Sequence, residues 1–559
     1  MTATTEVPAL MLAPDGEHVF PTLTPAQIGR VSAHGRSRQV QAGDILVEPG
    51  TQNVPCFVLR SGGIEVVRVS DVGETLIMIY HAGQFTGEIN TLSGRSALVR
   101  IRVTESGEVI EVNRENLLGL VQADSELSEI LMRAFILRRV ALLKGDFGDV
   151  VVMGSSHCSG TLRVREFLMR NGHPYTSFDL DHDEGVQDML DRFGVTSADV
   201  PVVIWRGRVV LRNPSNRQIA DCLGLNDAID ASHLRDLVIV GAGPSGLAAA
   251  VYAASEGVDA LVIEANAPGG QAGSSSKIEN YLGFPMGITG QELAGRAYTQ
   301  SQKFGADLMI AKDATKLACE RTPYAVEIDG ATKISARTII IATGARYRKL
   351  ALKNMSRFEG AGIYYGATYM EAQLCNGEEV IVVGGGNSAG QAAVFLAQTA
   401  QHVHMFIRST GLAETMSRYL IRRIEDSPAI TLHTQSELTA VDGDHHLERV
   451  SWVNRKTGEK ESRPIRHVFV MAGAAPSTDW LGGCVALDAK GFIKTGPDLT
   501  LEDLAASKWP LARPPHLLET SLPGVFAVGD VRSGNVKRVA SAVGEGSIAV
   551  SFVHQVLHE

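Results

Sequence analysis

Cysteine is scarce. The six in 559 residues, Cys56, Cys158, Cys222, Cys319, Cys375 and Cys484, are scattered and include no C-x-x-C pair. Such thin usage in a long chain fits a reducing cytosol better than a disulfide scaffold. Long apolar runs are lacking too: none approaches the roughly 18 residues of a membrane span. The first twenty residues have neither the basic start nor the apolar centre of a signal peptide, so a cytoplasmic protein with no membrane partner is expected. Positive charge is in deficit, 52 Lys and Arg against 62 Asp and Glu, and no basic run stands out. That balance argues against a nucleic-acid partner. No metal site is expected. The length leaves room for about three or four globular domains.

What is present is organised around residues 237–264, LVIVGAGPSGLAAAVYAASEGVDALVIE. Four apolar residues read as a buried parallel strand. Gly241-Ala242-Gly243-Pro244-Ser245-Gly246 follows, then an alanine-rich helix, then a second apolar run ending on Glu264. This is a dinucleotide fingerprint in its required βαβ context. Gly241 permits the tight turn, Gly243 lets backbone approach a pyrophosphate, and Gly246 lets helix and strand pack closely. The helix start offers N–H groups and a positive dipole end to phosphate. Glu264 stands where a carboxylate accepts from ribose hydroxyls.

A second copy follows the strand at 380–383: Gly384-Gly385-Gly386-Asn387-Ser388-Ala389, a helix, and a strand running towards Arg408. Glu264 lies 23 residues after Gly241; the same step from Gly384 reaches Ile407, with Arg408 next. An absent acid beside an arginine favours a 2′-phosphate, hence NADPH over NADH.

Residues 17–145 read as short strands broken by glycine, a small β-barrel or jelly roll, followed by one helical pattern over 114–144. Within them Phe85-Thr86-Gly87-Glu88-Ile89 and Gly94-Arg95-Ser96-Ala97 resemble the phosphate cassette of cyclic nucleotide-binding domains. The resemblance implies Gly87, Glu88, Arg95 and Ser96 as nucleotide contacts, with the glutamate on a ribose hydroxyl and the arginine on the cyclic phosphate. The alternative is a packing or dimerisation module in which Glu88 and Arg95 form an ion pair.

Residues 149–228 follow a strand, helix, strand, helix, hairpin order, with a helix expected over 186–194. The segment is similar to the glutaredoxin and thioredoxin fold. That implies Cys158 as the active cysteine at a helix start and Pro201 as a cis-proline facing it. The second cysteine of that family is replaced by Thr161.

From residue 237 onward the chain resembles low-molecular-weight thioredoxin reductases. The motifs are the two fingerprints, Gly269-Gly270-Gln271, Ile278-Glu279-Asn280-Tyr281, Ile341-Ala342-Thr343-Gly344-Ala345 and Val525-Phe526-Ala527-Val528-Gly529-Asp530. The resemblance implies an α/β pair of Rossmann-like domains, one for FAD (235–350 with 475–559) and one for NAD(P)H (351–474). It places FAD on the first fingerprint and Glu264, on Gly270, Gln271, Asn280, Thr343, Gly344, Gly529 and Asp530, and along Lys537, Arg538 and Val539. It also implies a homodimer and rotation of the NADPH domain between two working positions. The redox pair of that family is gone, however, with Gly366 and Tyr369 flanking Ala367-Thr368 where cysteines are usual. Cys375, six residues on, reads as a buried structural cysteine. The expected function is therefore an NADPH-dependent FAD oxidoreductase whose acceptor is Cys158, a quinone, dioxygen or an iron–sulfur protein. The alternative is a cyclic-nucleotide-gated redox sensor. The stretch 495–520, outside the reductase pattern, is expected to cover the flavin or to make a dimer contact.

Overall fold

The computed structural model describes residues 16–559, apart from 71–72, 89, 145–149, 156–157, 181–182, 184–193, 195 and 197–198. The helix expected over 186–194 lies almost wholly outside the described residues.

The N-terminal strands form two sheets. One holds Arg36–Val40, Gly107–Val112 and Cys56–Leu59; the other holds Ile45–Val47, Arg100–Glu105, Gly63–Ser70 and Gly73–His81. Inward residues of both sheets, among them Val40, Phe57, Leu59, Ile64, Met78, Ile101 and Val109, make one core. Among the described residues this is a sandwich, with no closed ring of strands. The single helix expected over 114–144 is two, Arg114–Ala123 and Ser125–Lys144. Asp124 separates them with an extended backbone (φ −111°, ψ 104°), and its carboxylate accepts from the Leu127 N–H at 3.0 Å. A short side chain that can cap a new helix start beats continued helical spacing.

The middle unit is a four-stranded sheet ordered Val209–Arg212, Val202–Trp205, Val150–Gly154, Tyr175–Asp179. The helices Ser159–Arg170 and Asn216–Leu223 accompany it. The Val200–Pro201 bond is cis, as expected.

Then come two α/β lobes. The first has a seven-stranded sheet in which Arg235–Val240 lies between Ala260–Glu264 and Thr332–Ile341, all parallel. Val525–Ala527 returns from the far end of the chain to pair in parallel with Thr332–Ile341. The fingerprint strand is buried from Leu237 to Val240 because helices and strands cover both faces, which is why it reads as a continuous apolar run. The second lobe has a parallel five-stranded sheet ordered Ile363–Tyr364, His467–Val470, Glu379–Val383, His402–Phe406, Ile430–His433. The antiparallel pair Ala345–Tyr347 and Ala474–Pro476 joins the two passages between lobes.

Two expectations change here. Cys319 and Cys484 are joined in a disulfide across 165 residues. The strand Ala314–Ala318 runs beside the turn at Asp479–Leu481, so residues remote in sequence become neighbours. The 495–520 stretch does not line the cofactor cavity described below, which removes the first of its two expected roles, covering the flavin. It folds towards the C-terminus instead, where Arg513 bridges the buried Glu519 and Glu559 at 2.7 Å each. No described helix is long and apolar enough to cross a membrane.

Candidate cofactor site

A cavity of about 720 Å³ lies between the two lobes. From the first lobe come Gly241, Gly243, Pro244, Ser245, Glu264, Gly270, Gln271, Asn280, Thr343, Gly344, Asp530, Lys537, Arg538 and Val539. Gly246 and Gly529 lie outside its lining and act through packing. A Cβ on Gly246 would stand 1.8 Å from the Gly241 carbonyl oxygen, and one on Gly529 would stand 2.5 Å from Ser245 Oγ. From the second lobe only Asn387 and Ser388 of the expected residues reach the cavity. Gly384 and Gly386 shape the turn, Ala389 is core, and Arg408 is exposed beyond the strand His402–Phe406.

The fit to a dinucleotide rests on three features. The helix Pro244–Ser255 starts at Gly243 with no side-chain cap, so its first N–H groups face the cavity rather than a serine or aspartate. A Cβ on Gly270 would stand 3.0 Å from Gly243 Cα, so two glycine loops meet in front of that helix start. Glu264 is 9% exposed, and its two oxygens accept from the Ala242 N–H (2.7 Å) and the Asn266 N–H (2.9 Å). Burial pushes its carboxyl above the ordinary value, opposed by those two bonds and by the Arg170 guanidinium. The carboxylate keeps acceptor capacity beyond these bonds for a ribose hydroxyl. In the second lobe, Asn387–Leu396 likewise starts at Gly386 with no side-chain cap. Asn387 accepts from the Ser417 N–H at 2.7 Å. Ser388 bonds the Tyr347 hydroxyl, whose pKa burial raises.

Positions 366–369, where the redox pair of thioredoxin reductases is expected, hold no cysteine. Gly366 lines the cavity, and Tyr369 points outward, 70% exposed, at the start of Tyr369–Leu374. Cys375 is buried and its thiol is pushed up to about 12, chiefly by burial. Cys158 is the N-cap of Ser159–Arg170 and does not line the cavity, although Ser159 does.

Residues 235–546, more than half of the chain, match the family described as pyridine nucleotide-disulphide oxidoreductase. The chain belongs to that family. This oxidoreductase is 31% identical to NADPH-dependent thioredoxin reductase 3 of Arabidopsis thaliana over 368 residues, which is 63% of this chain and 65% of the plant protein. It is 32% identical to the thioredoxin reductase of Mycolicibacterium smegmatis over 56% of this chain and 94% of that protein. Among solved structures, Lactococcus lactis thioredoxin reductase (FR conformation) superposes with a TM-score of 0.52 at 27% identity, over 58% of this chain and all of that one. The oxidoreductase is thus a flavin enzyme of NAD(P)H-dependent type, and the thioredoxin reductases of its family use FAD and NADPH. Residues 37–124 match the cyclic nucleotide-binding domain.

In that N-terminal domain a cavity of about 100 Å³ lies between the sheets. Gly87, Glu88 and Arg95 line it; Ser96 does not, and a Cβ on Gly224 of the middle unit would stand 2.9 Å from Ser96 Oγ. The Glu88–Arg95 ion pair is not formed. The one-turn helix Asn90–Ser93 and left-handed Gly94 (φ 74°) deliver Arg95 to the domain edge. There it donates to the Asn171 carbonyl (3.1 Å) and the Tyr298 hydroxyl (2.9 Å). Glu88 faces Arg139 at 3.7 Å instead. Sequence reasoning missed Arg138, which lines the cavity from the helix Ser125–Lys144 and sits over the rings of Phe20, Tyr80 and Phe85. It donates to the carbonyls of Val19, Phe85 and Gly87, and its Nη2 has no partner among the described residues.

Proposed function

We propose that this chain is an NADPH-dependent FAD oxidoreductase that passes electrons to an acceptor other than a C-x-x-C pair of its own. The carrying observation is that the first glycine-rich turn and the helix start after the second, at Asn387 and Ser388, border one continuous cavity. Ser388 and Tyr347, hydrogen-bonded to each other, line it together with Thr343, Gly344 and Lys537 of the first lobe. Bound FAD supplies two-electron chemistry from a nicotinamide. The chain's own groups bind and orient: Glu264 and the helix start at Gly243 hold the adenosine and pyrophosphate half, while Asn280, Asp530, Lys537, Arg538 and Val539 wall the far end. Asn387 and Ser388 seat the second dinucleotide against it, and Arg408, exposed one residue past Ile407, is the cation offered to a 2′-phosphate. Positioning of this kind suffices for transfer between two cofactors. Dithiol exchange with thioredoxin requires a thiolate at 366–369, where the sequence reads Gly366-Ala367-Thr368-Tyr369.

The acceptor is of a kind that reaches the cavity from outside: a quinone, dioxygen or an iron–sulfur protein. The tethered alternative is Cys158 in a middle unit of glutaredoxin-like order. Purified protein is expected to be yellow and to bleach with NADPH under anaerobic conditions; absorbance unchanged by excess NADPH and NADH overturns the reading. Acceptor turnover compared with Cys158→Ser separates the two acceptor classes, since equal rates dismiss the tethered thiol.

A second reading, gating by a cyclic nucleotide, is favoured by the buried Arg138 Nη2 in the N-terminal cavity. Calorimetry with cyclic AMP and cyclic GMP decides it, and absence of both heat and thermal shift discards it.

A further inference from the structure

The middle unit contributes a wall to the cofactor cavity. Ser159, Leu162, Arg163, Glu166 and Arg170 all line it, and their spacing is that of one face of the helix Ser159–Arg170. The two ends of that face touch different lobes. At the start, Ser159 lies against Gly360 so closely that a Cβ there would stand 2.5 Å from Ser159 Cβ. Leu162 is buried in the second lobe's own core with Tyr364, Ala367 and Cys375. At the other end, Arg170 Nη2 donates to the Gly270 carbonyl at 2.9 Å and the Ala267 carbonyl at 3.4 Å. Asn171 Nδ2 donates to the Asn266 carbonyl at 3.4 Å, and Gln291 Nε2 to the Met169 carbonyl at 3.0 Å. Arg170 therefore holds the glycine loop that faces Gly243, and it is the charge acting on Glu264. Its Nε is buried with no partner among the described residues.

The rest of the middle unit is fixed to the first lobe. Asn226 exchanges two hydrogen bonds with the Ile310 backbone, at 2.6 and 2.9 Å, and Ile310 and Ala311 share a core with Val150, Val152 and Phe167. A carrier that shuttled between sites would have to break every one of these contacts.

We propose that the helix Ser159–Arg170 is a fixed strut that completes the cofactor site. Arg170 is a positioning residue for the adenosine half of FAD, acting through the Gly270 loop and Glu264. The Ser159 and Leu162 end pins the second lobe so that both lobes keep facing one cavity. The inference rests on the FAD reading above, and the loss of the disulfide pair removes the need for a second lobe position.

The test uses the full chain with Arg170→Ala, Arg170→Lys, Leu162→Ala and Leu162→Met. FAD affinity is read by quenching of flavin fluorescence, lobe opening by amide exchange at 360–364, and hydride transfer by anaerobic stopped flow. Arg170→Ala is expected to weaken FAD binding by about tenfold or more, with partial rescue by Arg170→Lys and no increase in exchange at 360–364. Leu162→Ala is expected to raise that exchange and to slow flavin reduction by about tenfold, with less effect on FAD affinity and rescue by Leu162→Met. Wild-type FAD affinity in Arg170→Ala, or wild-type exchange and reduction in Leu162→Ala, overturns the strut. So does loss of both properties together in either variant. Failure of the wild-type chain to bind FAD instead overturns the reading beneath it.

Discussion

The turns at 241–246 and 384–389 share one backbone plan and differ at the end of the strand that follows. In the first lobe the strand Ala260–Glu264 finishes on a nearly buried carboxylate that also ties down its own turn through the Ala242 N–H. In the second, Ile407 is buried at the matching place and Arg408 is exposed beyond it. An acid inside and a cation at the rim are the difference on which the proposed choice of nucleotide for each lobe rests. The two turns also differ in tolerance. Gly246 is locked against the Gly241 carbonyl, whereas the matching place in the second turn already carries the Cβ of Ala389, and a Cβ on Gly386 would meet nothing within 4 Å.

The sharpest way to break the comparison is to add one methyl group to each turn. Gly246→Ala is expected to cost more than about 3 kcal/mol, because backbone must shift, and to yield protein without flavin. Gly386→Ala is expected to stay yellow with a near-native melting temperature. Thermal unfolding and the 450 nm region of the absorbance spectrum check both, and equal damage from the two would erase the distinction.

Next in size is the acid. Glu264→Gln is expected to lower FAD affinity by about ten- to a hundredfold, the worth of charge-assisted bonds to hydroxyls. Unchanged affinity would mean that the ribose sits elsewhere. For the cation, Arg408→Ala is expected to raise KM for NADPH by about tenfold and to leave KM for NADH nearly as it was. Parallel loss with both nucleotides would count against a 2′-phosphate contact.

The smallest effect is an opposed response to acid in the flavin-free protein. Burial, and then the neighbouring His404, push His433 of the second lobe down to about 4 from 6.5. The folded ring stays neutral, so its contribution to stability is complete above about 6.5 and is lost as pH falls towards 4. Glu264 is displaced the other way, raised by burial from 4.5. The folded first lobe takes up a proton before the unfolded chain does, so it gains stability as pH falls through the raised value towards 4.5. Amide exchange followed from about pH 7 to pH 5 should therefore loosen 402–433 while 237–264 holds, and His433→Gln should flatten the first trend. Loosening of both lobes in step would show that neither group governs its region.

Much of the cofactor site was legible because its signals are local. Strand, glycine turn, helix and terminal acid fall within 28 residues, and backbone sterics tie each glycine to its place in the turn. The loss of the cysteine pair at Gly366 and Tyr369 was equally plain. Other expectations failed where distant packing decides. Arg95 leaves Glu88 for Tyr298, 203 residues away. Asp124 splits a helix whose apolar spacing runs on unbroken. The wall formed by Arg163 and Arg170 reads in sequence only as one side of an amphipathic helix, with nothing to say what that side faces.

Chemistry confined to short stretches, the two nucleotide turns, the acid, the arginine and the missing thiols, was thus determined by the order of residues alone. The folded chain alone decided which surfaces meet: the Cys319–Cys484 bond, the destination of Arg95 and the helix laid across both lobes. Neighbour-to-neighbour sterics act within a few residues and leave a periodic trace in the sequence. Contacts between remote segments come from burying matched surfaces, and that matching has no local signature.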